Sequence, residues 1–292
     1  MSDYLVRAIA FDGKLRAFAA LTKDTVEEIR KRHDTWPVAT AAVGRTATAT
    51  VMMGAMLKGD DRVTIQIKGG GPIGQIVADA NAGGDVRAYC TKPHVDLPLN
   101  ENGKLDVAGA VGTNGFLNVV KDLGLKEPYR GNVPLISGEL GEDFTYYFTS
   151  SEQTPSAVGV GVLVNPDLTV RTSGGFIIQL LPGIEEDEIQ QLENRLQSLP
   201  QLTTLFDQGL SPEDLLQTIL PDASMRILDR FPIRFACTCS HDRLERVMIS
   251  LGREELKNIL QDQGHAEIIC QFCKEAYVFD QNQLQNMIES LK

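Results

Sequence analysis

The stretch that runs from Cys237 to Phe279 reads CTCSHDRLERVMISLGREELKNILQDQGHAEIICQFCKEAYVF. It holds four of the chain's five cysteines, arranged as Cys-Thr-Cys and, 30 residues further on, as Cys-Gln-Phe-Cys. Four thiolates can close a tetrahedral zinc site with zinc–sulfur distances of about 2.3 Å, which leaves no open position for a substrate. The stretch therefore predicts one zinc ion held by Cys237, Cys239, Cys270 and Cys273.

The Cys-Thr-Cys half of the cluster is less usual in structural zinc modules than a C-x-x-C arm. A disulfide between these two cysteines would close a short, strained ring, and strained disulfides are readily reduced again. Zinc holds its cysteines as thiolates, which is the form that oxidants attack. Oxidation to two neighbouring disulfides would remove all four ligands and release the metal. The residues thus favour a redox switch over a purely structural zinc site.

Residues 231–292 form the predicted zinc-binding module. The run EIICQFCKEAYVF, from Glu267 to Phe279, is typical of strand, turn and strand, and two stretches of helical spacing precede it. A unit of this size lies near the lower limit for folding on its apolar core alone, so we expect the metal to contribute much of its stability.

Residues 183–230 differ in composition and predict an acidic, amphipathic helical linker. The stretch has ten Asp and Glu residues against three Arg. Ile189, Leu192 and Leu196 recur at helical spacing. A second helix is predicted at SPEDLLQTIL, with Ser211 as its N-cap and Asp214 closing an approximate capping box. Such helices need an apolar surface on which to dock.

Residues 1–182 mix strand and helix patterns and predict an α+β domain rather than a repeated βαβ unit. Asp12-Gly13 predicts a hairpin turn, and the Thr- and Ala-rich stretch from Val38 to Leu57 predicts a buried helix. The stretch DFTYYFTSSEQTPSAVGVGVLVNPDLTVRTSGGFIIQLLPG, residues 143–183, is interpreted as several short strands separated by turns. The predicted fold class is therefore α+β: an N-terminal mixed domain, a helical linker and a small C-terminal zinc-binding module.

The net charge of −11 makes binding to a nucleic-acid phosphate backbone unfavourable. The predicted module itself carries seven Lys and Arg against nine Asp and Glu, which offers phosphates little attraction. The longest apolar stretch is interrupted by Arg45, so no membrane span is expected. The start MSDYLVRAIAFDGK lacks the apolar run of a secretory signal, and an odd number of cysteines argues against a disulfide scaffold. We expect a cytoplasmic protein.

Other motifs are weaker. Gly69-x-Gly71-x-x-Gly74 matches a dinucleotide fingerprint in form, but the residues that follow predict a strand where that fingerprint requires a helix. A thioredoxin-like role for the C-x-x-C pair fails for the same reason. His241 and His265 lie near the cysteines but are expected at the surface or in caps, and Cys90 is expected to be a buried thiol. No recognisable catalytic set is present, so an enzyme is not expected.

Taken end to end, the chain resembles the redox-regulated bacterial chaperone family, the thirty-three-kilodalton heat-shock proteins. The most specific part of the resemblance is the cysteine stretch, including SLGREEL and the aromatic residues after the last cysteine. The N-terminal half resembles the family in GGGPIGQIVADANAGGDVRAY, SGELGEDFTYYFTSSEQTPSAV and SGGFIIQLLPG, which occur in the expected order.

This resemblance implies an ATP-independent holdase that binds zinc through the same four cysteines when reduced. It also implies that oxidation joins Cys237 to Cys239 and Cys270 to Cys273, with loss of zinc and unfolding of the module and linker. The oxidised protein is then expected to form a homodimer and to hold unfolding client proteins. The alternative is an enzyme or regulatory binding protein with a purely structural zinc ribbon at its C-terminus, whose metal would resist peroxide.

Overall fold

The computed structural model describes residues 2–220 and 224–291. Its chain divides into two compact units, Met1–Ala236 and Cys237–Lys292. Both contain helices and antiparallel strands, so the predicted α+β class is confirmed. The predicted linker includes residues 221–223, which lie outside the described residues.

The elements of the first unit are, in chain order, β1 (Tyr4–Ala10), β2 (Leu15–Leu21), α1 (Lys23–His33), α2 (Pro37–Gly54), β3 (Arg62–Lys68), β4 (Gln75–Asn81), β5 (Asp85–Cys90), α3 (Val107–Val111), β6 (Phe116–Asp122), β7 (Tyr129–Pro134), α4 (Gly141–Ser150), β8 (Ser156–Val164), β9 (Val170–Leu180), α5 (Glu186–Ser198), α6 (Leu202–Asp207), α7 (Pro212–Ile219), β10 (Arg226–Pro232) and β11 (Arg234–Phe235). Those of the second unit are α8 (His241–Ser250), α9 (Arg253–Asp262), β12 (Ala266–Ile269), β13 (Ala276–Phe279) and α10 (Gln281–Ser290).

The strands of the first unit form two sheets. One has the order β10-β1-β2-β9-β8 and is antiparallel throughout, and the other has the order β11-β5-β4-β3-β6-β7. The predicted hairpin at Asp12-Gly13 joins β1 to β2, and the backbone of Asp12 there is left-handed with φ 52°. The order of the first sheet leaves β8 at one of its edges.

Helix α2 packs against strands of both sheets, namely β3, β4 and β5 of one and β2, β8 and β9 of the other. It is buried along nearly all of its length. Two of its buried threonines bond within the helix: Thr46 Oγ1 donates to Ala42 O at 2.9 Å, and Thr50 Oγ1 donates to Thr46 O at 2.7 Å. A Cβ at Gly44 would lie 2.8 Å from the side chain of Val162, so glycine permits the close approach of the helix to β8.

The strand prediction for the start of residues 143–183 was wrong, because residues 143–150 belong to α4. Phe144, Tyr147 and Phe148 are fully buried at helical spacing. The buried carboxylate of Asp143 accepts hydrogen bonds from the backbone of Ile136 at 2.7 Å and of Leu140 at 2.9 Å. The aromatic and β-branched composition favours strands, and this buried helix start overrides it. The later part of the stretch forms β8 and β9 as predicted.

The linker helices α5, α6 and α7 pack on one face of the five-stranded sheet. Helix α7 has the predicted N-cap, since Asp214 N donates to Ser211 Oγ at 3.1 Å and Ser211 N donates to Asp214 Oδ2 at 3.0 Å. The apolar cluster under these helices includes Leu192, Leu205, Phe206, Leu215, Leu216 and Ile219 from the linker, and Val6, Ala17 and Ile178 from the sheet. The linker thus covers an apolar sheet face.

After the linker helices the chain returns to both sheets of the first unit. Strand β10 pairs antiparallel with β1, and β11 pairs parallel with β5. The helical linker expected over residues 183–230 therefore ends in a strand, and residues 231–236 lie in the first unit rather than in the module that the sequence placed at 231–292. Among the described residues, no helix combines the length and the hydropathy needed to cross a membrane.

Candidate metal centre

The first cysteine arm lies between β11 and α8. Ser240 caps α8, because its Oγ accepts a hydrogen bond from Arg243 N at 3.2 Å. Thr238, between the two cysteines, is turned towards the same helix, and its Oγ1 accepts from Arg243 Nη1 at 2.9 Å. The helix start therefore fixes the arm that carries Cys237 and Cys239.

The second arm is the turn between β12 and β13, which pair antiparallel as the sequence predicted. Cys270 N donates to Glu275 O and Lys274 N donates to Cys270 O, both at 2.9 Å. Lys274 has φ 60°, a left-handed conformation that is uncommon for a residue other than glycine. This tight turn places Cys270 and Cys273 on the side of the first arm.

The four sulfur atoms of the two arms all lie within 4.8 Å of one another. Cys237 Sγ is 3.7 Å from Cys270 Sγ, and Cys239 Sγ is 3.2 Å from Cys273 Sγ. Sulfurs bound to one tetrahedral ion at about 2.3 Å stand about 3.8 Å apart, so this group fits a metal ion with four thiolate ligands. Both of these distances join one arm to the other, and both are much longer than a disulfide bond of about 2.05 Å.

Burial shapes the chemistry of these thiols. Removal from water raises the pKa of Cys239 and of Cys273 above the ordinary thiol value. Tyr277 Oη lies 3.1 Å from Cys239 Sγ and donates to Glu275 Oε2 at 2.9 Å. These hydrogen bonds, that to Cys239 first, raise the pKa of the Tyr277 hydroxyl. A cation at the centre of the group favours thiolates, so that metal binding would release protons.

The apolar core of the second unit is small. Its buried members are Met248, Leu256, Ala266, Phe279, Leu284, Met287 and Ile288, contributed by α8, α9, the hairpin and α10. Small domains bury a low fraction of their surface, and those near this size often need a metal or a disulfide. The position of the sulfur group, with one arm at the start of α8 and the other in the hairpin turn, lets one ion join both.

The other candidates from the sequence lie outside the sulfur group. His241 opens α8, its ring centroid is 4.3 Å from that of Phe279, and its Nε2 is 3.4 Å from Val278 O. His265 is exposed, with Nδ1 3.0 Å from Gln263 O. Cys90 is buried in the core of the first unit.

Three comparisons place the chain among known proteins. The family profile described as Hsp33 protein matches residues 3–280. The chain belongs to the Hsp33 family. A 33 kDa chaperonin of a Geobacillus species is 58% identical over 287 residues, which cover 98% of this chain and 97% of the relative. The 33 kDa chaperonin of Geobacillus kaustophilus is 57% identical over 292 residues, which cover 100% and 99%.

The crystal structure of the 33 kDa chaperonin from Thermotoga maritima, a heat shock protein 33 homologue, has the same fold. It is similar to this chain with a TM-score of 0.91 and 35% identity, over 99% of each chain. The family resemblance that the cysteine stretch carries is thereby confirmed, and the protein is a member of a chaperone family whose relatives are named chaperonins. Sequence reasoning identified all four members of the sulfur group; it missed Tyr277, whose contact with Cys239 depends on the register of the β12–β13 hairpin.

Proposed function

We propose that the protein is a redox-regulated, ATP-independent holdase that protects thermally unfolding and oxidatively damaged proteins from aggregation. In the reduced state Cys237, Cys239, Cys270 and Cys273 hold one zinc ion. Oxidation joins Cys237 to Cys239 and Cys270 to Cys273, releases the zinc and activates the protein. The observation that carries the proposal is the convergence of four thiols from two arms in a unit with a small apolar core.

Zinc is the metal that this donor set suits, because it takes four thiolates in a tetrahedron and has no redox chemistry of its own. The oxidant in this step is hydrogen peroxide. Each disulfide forms when two thiolates give two electrons to one peroxide, which takes up two protons and leaves as two water molecules. Two disulfides therefore consume two peroxide molecules and four electrons, and no thiolate ligand remains.

The effect of oxidation on the stability of the second unit depends on which sulfurs are joined. Bonds between the arms, along the short distances of 3.7 and 3.2 Å, would replace the metal with covalent links that close the intervening chain. Bonds within each arm leave the hairpin and the start of α8 unconnected after the metal has gone. Pairing within the arms is therefore the one that unfolds the unit.

The surface that activation exposes is the apolar sheet face under the linker. Helices α5–α7 cover an apolar face of the five-stranded sheet, and an apolar patch of this kind is what a holdase presents to unfolding proteins. The many acidic residues of the linker keep it soluble when it leaves the sheet. We place this activity in the cytoplasm, with homodimerisation on activation, without a catalysed reaction, and without nucleic acid or membrane as a partner.

The test is light scattering from a thermally unfolding client protein. The client is heated with the reduced, zinc-loaded protein or with protein oxidised by peroxide at mildly elevated temperature. We expect the oxidised form alone to suppress aggregation, and a thiol reductant to reverse the effect. Peptide mapping of the oxidised protein should recover the two within-arm disulfides, and a chromogenic chelator should detect one zinc released per chain.

The matched control is Cys90→Ala, which removes a cysteine outside the sulfur group and should respond to peroxide like the wild type. Equal suppression by both redox forms, with zinc retained under peroxide, would overturn the proposal. That outcome would favour the alternative of a structural zinc ribbon attached to a protein with another activity.

A further inference from the structure

The five-stranded sheet has an open edge at β8, a strand of nine residues that pairs with β9 on its other side. An open edge presents backbone N–H and C=O groups that have no strand partner, and it is a template for another extended chain. What such an edge can bind depends on which residues face outward and on what lies beside them.

In β8, the backbone N–H and C=O groups of every second residue point away from β9. Leu180 N donates to Pro155 O, which sets the inward series at the odd-numbered positions. Val158 belongs to the outward series, because its N–H donates to Thr145 Oγ1 of α4 at 3.0 Å. Helix α4 thus occupies the edge near its start. Val160 and Val162 follow in the outward series. Within the described part of the chain, their N–H groups donate no hydrogen bond on that side and their C=O groups accept none.

A cleft of about 840 Å³ runs along this edge and includes residues 158–165 of β8 and its following turn. Ala41 and Arg45 of α2 line it, as do Leu202 and Thr203 at the start of α6. The lining is largely apolar. The cleft therefore lies directly beside the outward backbone groups of Val160 and Val162, between two helices.

Arg45 is the charged side chain that α2 contributes to the cleft lining. Arg45 Nη1 donates to Glu139 O at 3.0 Å and to Glu139 Oε2 at 2.5 Å, whereas the buried Arg45 Nε has no hydrogen-bond partner in the structure. The ion pair with Glu139 neutralises the guanidinium, so Arg45 offers no uncompensated positive charge to an occupant of the cleft.

The charges around the cleft favour a neutral occupant. Arg45 pairs with Glu139, and the remaining charged lining residues are one lysine, Lys104, and one acidic residue, Glu142. The lining is thus balanced although the whole chain carries −11. An uncharged apolar segment complements this lining, whereas an acidic or basic ligand would leave charge uncompensated.

We propose that the β8 edge is a binding site for an extended, apolar segment of an unfolded polypeptide, which adds to the sheet as a further strand. The outward N–H and C=O groups of Val160 and Val162 bind its backbone, and the cleft takes its side chains. This inference rests on the proposed holdase function, and it assigns one place where a client is held. The site belongs to the first unit and needs no residue of the metal centre.

The experiment measures fluorescence anisotropy of a labelled short peptide of alternating valine and threonine with an acetylated N-terminus and an amidated C-terminus. Val160→Pro removes the outward N–H without touching the ladder to β9, since proline is tolerated on the open side of an edge strand. Val160→Thr keeps the N–H and the shape of the side chain, and is the matched control. We expect Val160→Pro to weaken binding at least about tenfold and Val160→Thr to leave it within about twofold. Equal affinity for both variants would overturn the assignment.

A second measurement uses the wild-type protein, so that misfolding of a variant cannot decide the matter. Two further peptides carry N-methyl groups on alternate residues, one along each edge of the strand, so that neither can donate a hydrogen bond from its methylated edge. We expect one of the two to bind at least about tenfold more weakly than the unmethylated peptide. Equal binding of the methylated and unmethylated peptides would show that strand addition is absent.

Both measurements are made on reduced and on oxidised protein, beside the light-scattering assay. Suppression of aggregation by oxidised Val160→Pro at the wild-type level, with unchanged peptide affinity, overturns this inference and leaves the redox proposal standing. Weaker peptide binding by Val160→Pro in both redox forms, with no effect of oxidation on aggregation, supports the site and removes the redox proposal. Sedimentation that shifts with Val160→Pro in the absence of peptide would assign the edge to a second copy of this chain and overturn the peptide site.

Discussion

At the scale of single residues, Cys239 contacts both a sulfur of the other arm and a tyrosine hydroxyl. Its Sγ lies 3.2 Å from Cys273 Sγ and 3.1 Å from Tyr277 Oη. Four sulfur ligands fill a tetrahedron, so the loss of any one leaves an incomplete set. The spacing of the cysteines in the sequence was enough to predict this group, because each arm is local and its residue types are chemically specific.

The variant Cys239→Ser should bind zinc more than about 100-fold more weakly than the wild type, since loss of an outer-shell partner alone costs about 10- to 100-fold. We also expect its second unit to be partly unfolded under reducing conditions. Competition with a chelator of known affinity measures the zinc affinity. Amide hydrogen exchange over Cys237–Lys292 measures the unfolding of the second unit. Cys90→Ala serves as the control, and full zinc affinity in Cys239→Ser would disprove the ligand assignment.

Tyr4 joins the sheet to the linker. Its hydroxyl donates to Glu213 Oε2 at 2.7 Å, and the guanidinium of Arg230 lies 5.1 Å from its ring centroid and pairs with Glu213. Burial, followed by the hydrogen bond to Glu213, raises the pKa of Tyr4 to about 12. No local pattern predicts this contact, because it joins β1 to α7 across 209 positions.

A tyrosine whose pKa is raised on folding stabilises the fold below its unfolded pKa of about 10, and the contribution is lost as the pH rises towards 12. The free energy of unfolding of the wild type should therefore fall towards that of Tyr4→Phe between about pH 10 and pH 12. Urea titrations across this range measure the difference, with Tyr146→Phe, at an exposed position, as the control. A difference that is constant over the range would contradict the prediction.

At the scale of elements, the sequence predicts features that depend on neighbouring residues better than features that depend on tertiary contacts. The start of α7 was predicted from Ser211 and Asp214, because a capping box involves residues three positions apart. The sequence predicts strand at the start of residues 143–183, where α4 lies, because the aromatic composition favours strands. The hydrogen bonds that Asp143 accepts from Ile136 and Ser137 come from residues before that stretch, so its composition does not reveal them. The cleft beside β8 could not be predicted, since its lining comes from several separate segments.

The docking of the linker depends on α7. Leu216 is fully buried against the sheet face, so Leu216→Ala should lower the free energy of unfolding by about 2–5 kcal/mol or release the helix locally. Under the proposed function, the reduced variant should also suppress client aggregation in part, because the sheet face is uncovered. Hydrogen exchange in residues 212–219 and light scattering measure the two effects. Gln217→Ala, at an exposed neighbouring position, should change neither. Release of α7 in Leu216→Ala with no gain of activity would show that the sheet face under the linker does not bind clients.

At the scale of the whole molecule, the two units differ in what holds them together. The first has two sheets and a large apolar core around α2, whereas the second has a small core and the sulfur group. The sequence indicated this asymmetry through the cysteines, but it set the start of the module at residue 231. Pairing of β10 with β1 and of β11 with β5 joins distant parts of the chain, and a local pattern carries no information on such partners.

Removal of the metal from reduced protein should therefore unfold one unit and spare the other. We expect a strong zinc chelator to abolish amide protection throughout Cys237–Lys292 and to leave that of the two sheets unchanged, since structural zinc contributes on the order of 10 kcal/mol to small modules. Hydrogen exchange followed by mass spectrometry measures the protection of each unit separately. Adding zinc back should restore the protection of the second unit. Persistent protection of the second unit without metal would show that its apolar core suffices.

The hydrogen bonds of Thr46 and Thr50 in α2 limit which residues can replace them in related proteins. The hydroxyls of Thr46 and Thr50 bond carbonyls of their own helix, and those carbonyls also belong to the backbone ladder. Valine has the same shape and alanine is smaller, and neither leaves a buried group without a bond. A longer or more polar side chain would either force the sheets apart or bring an unsatisfied group between them. Among relatives, these two positions should therefore exchange threonine, valine and alanine freely, and admit neither leucine nor asparagine.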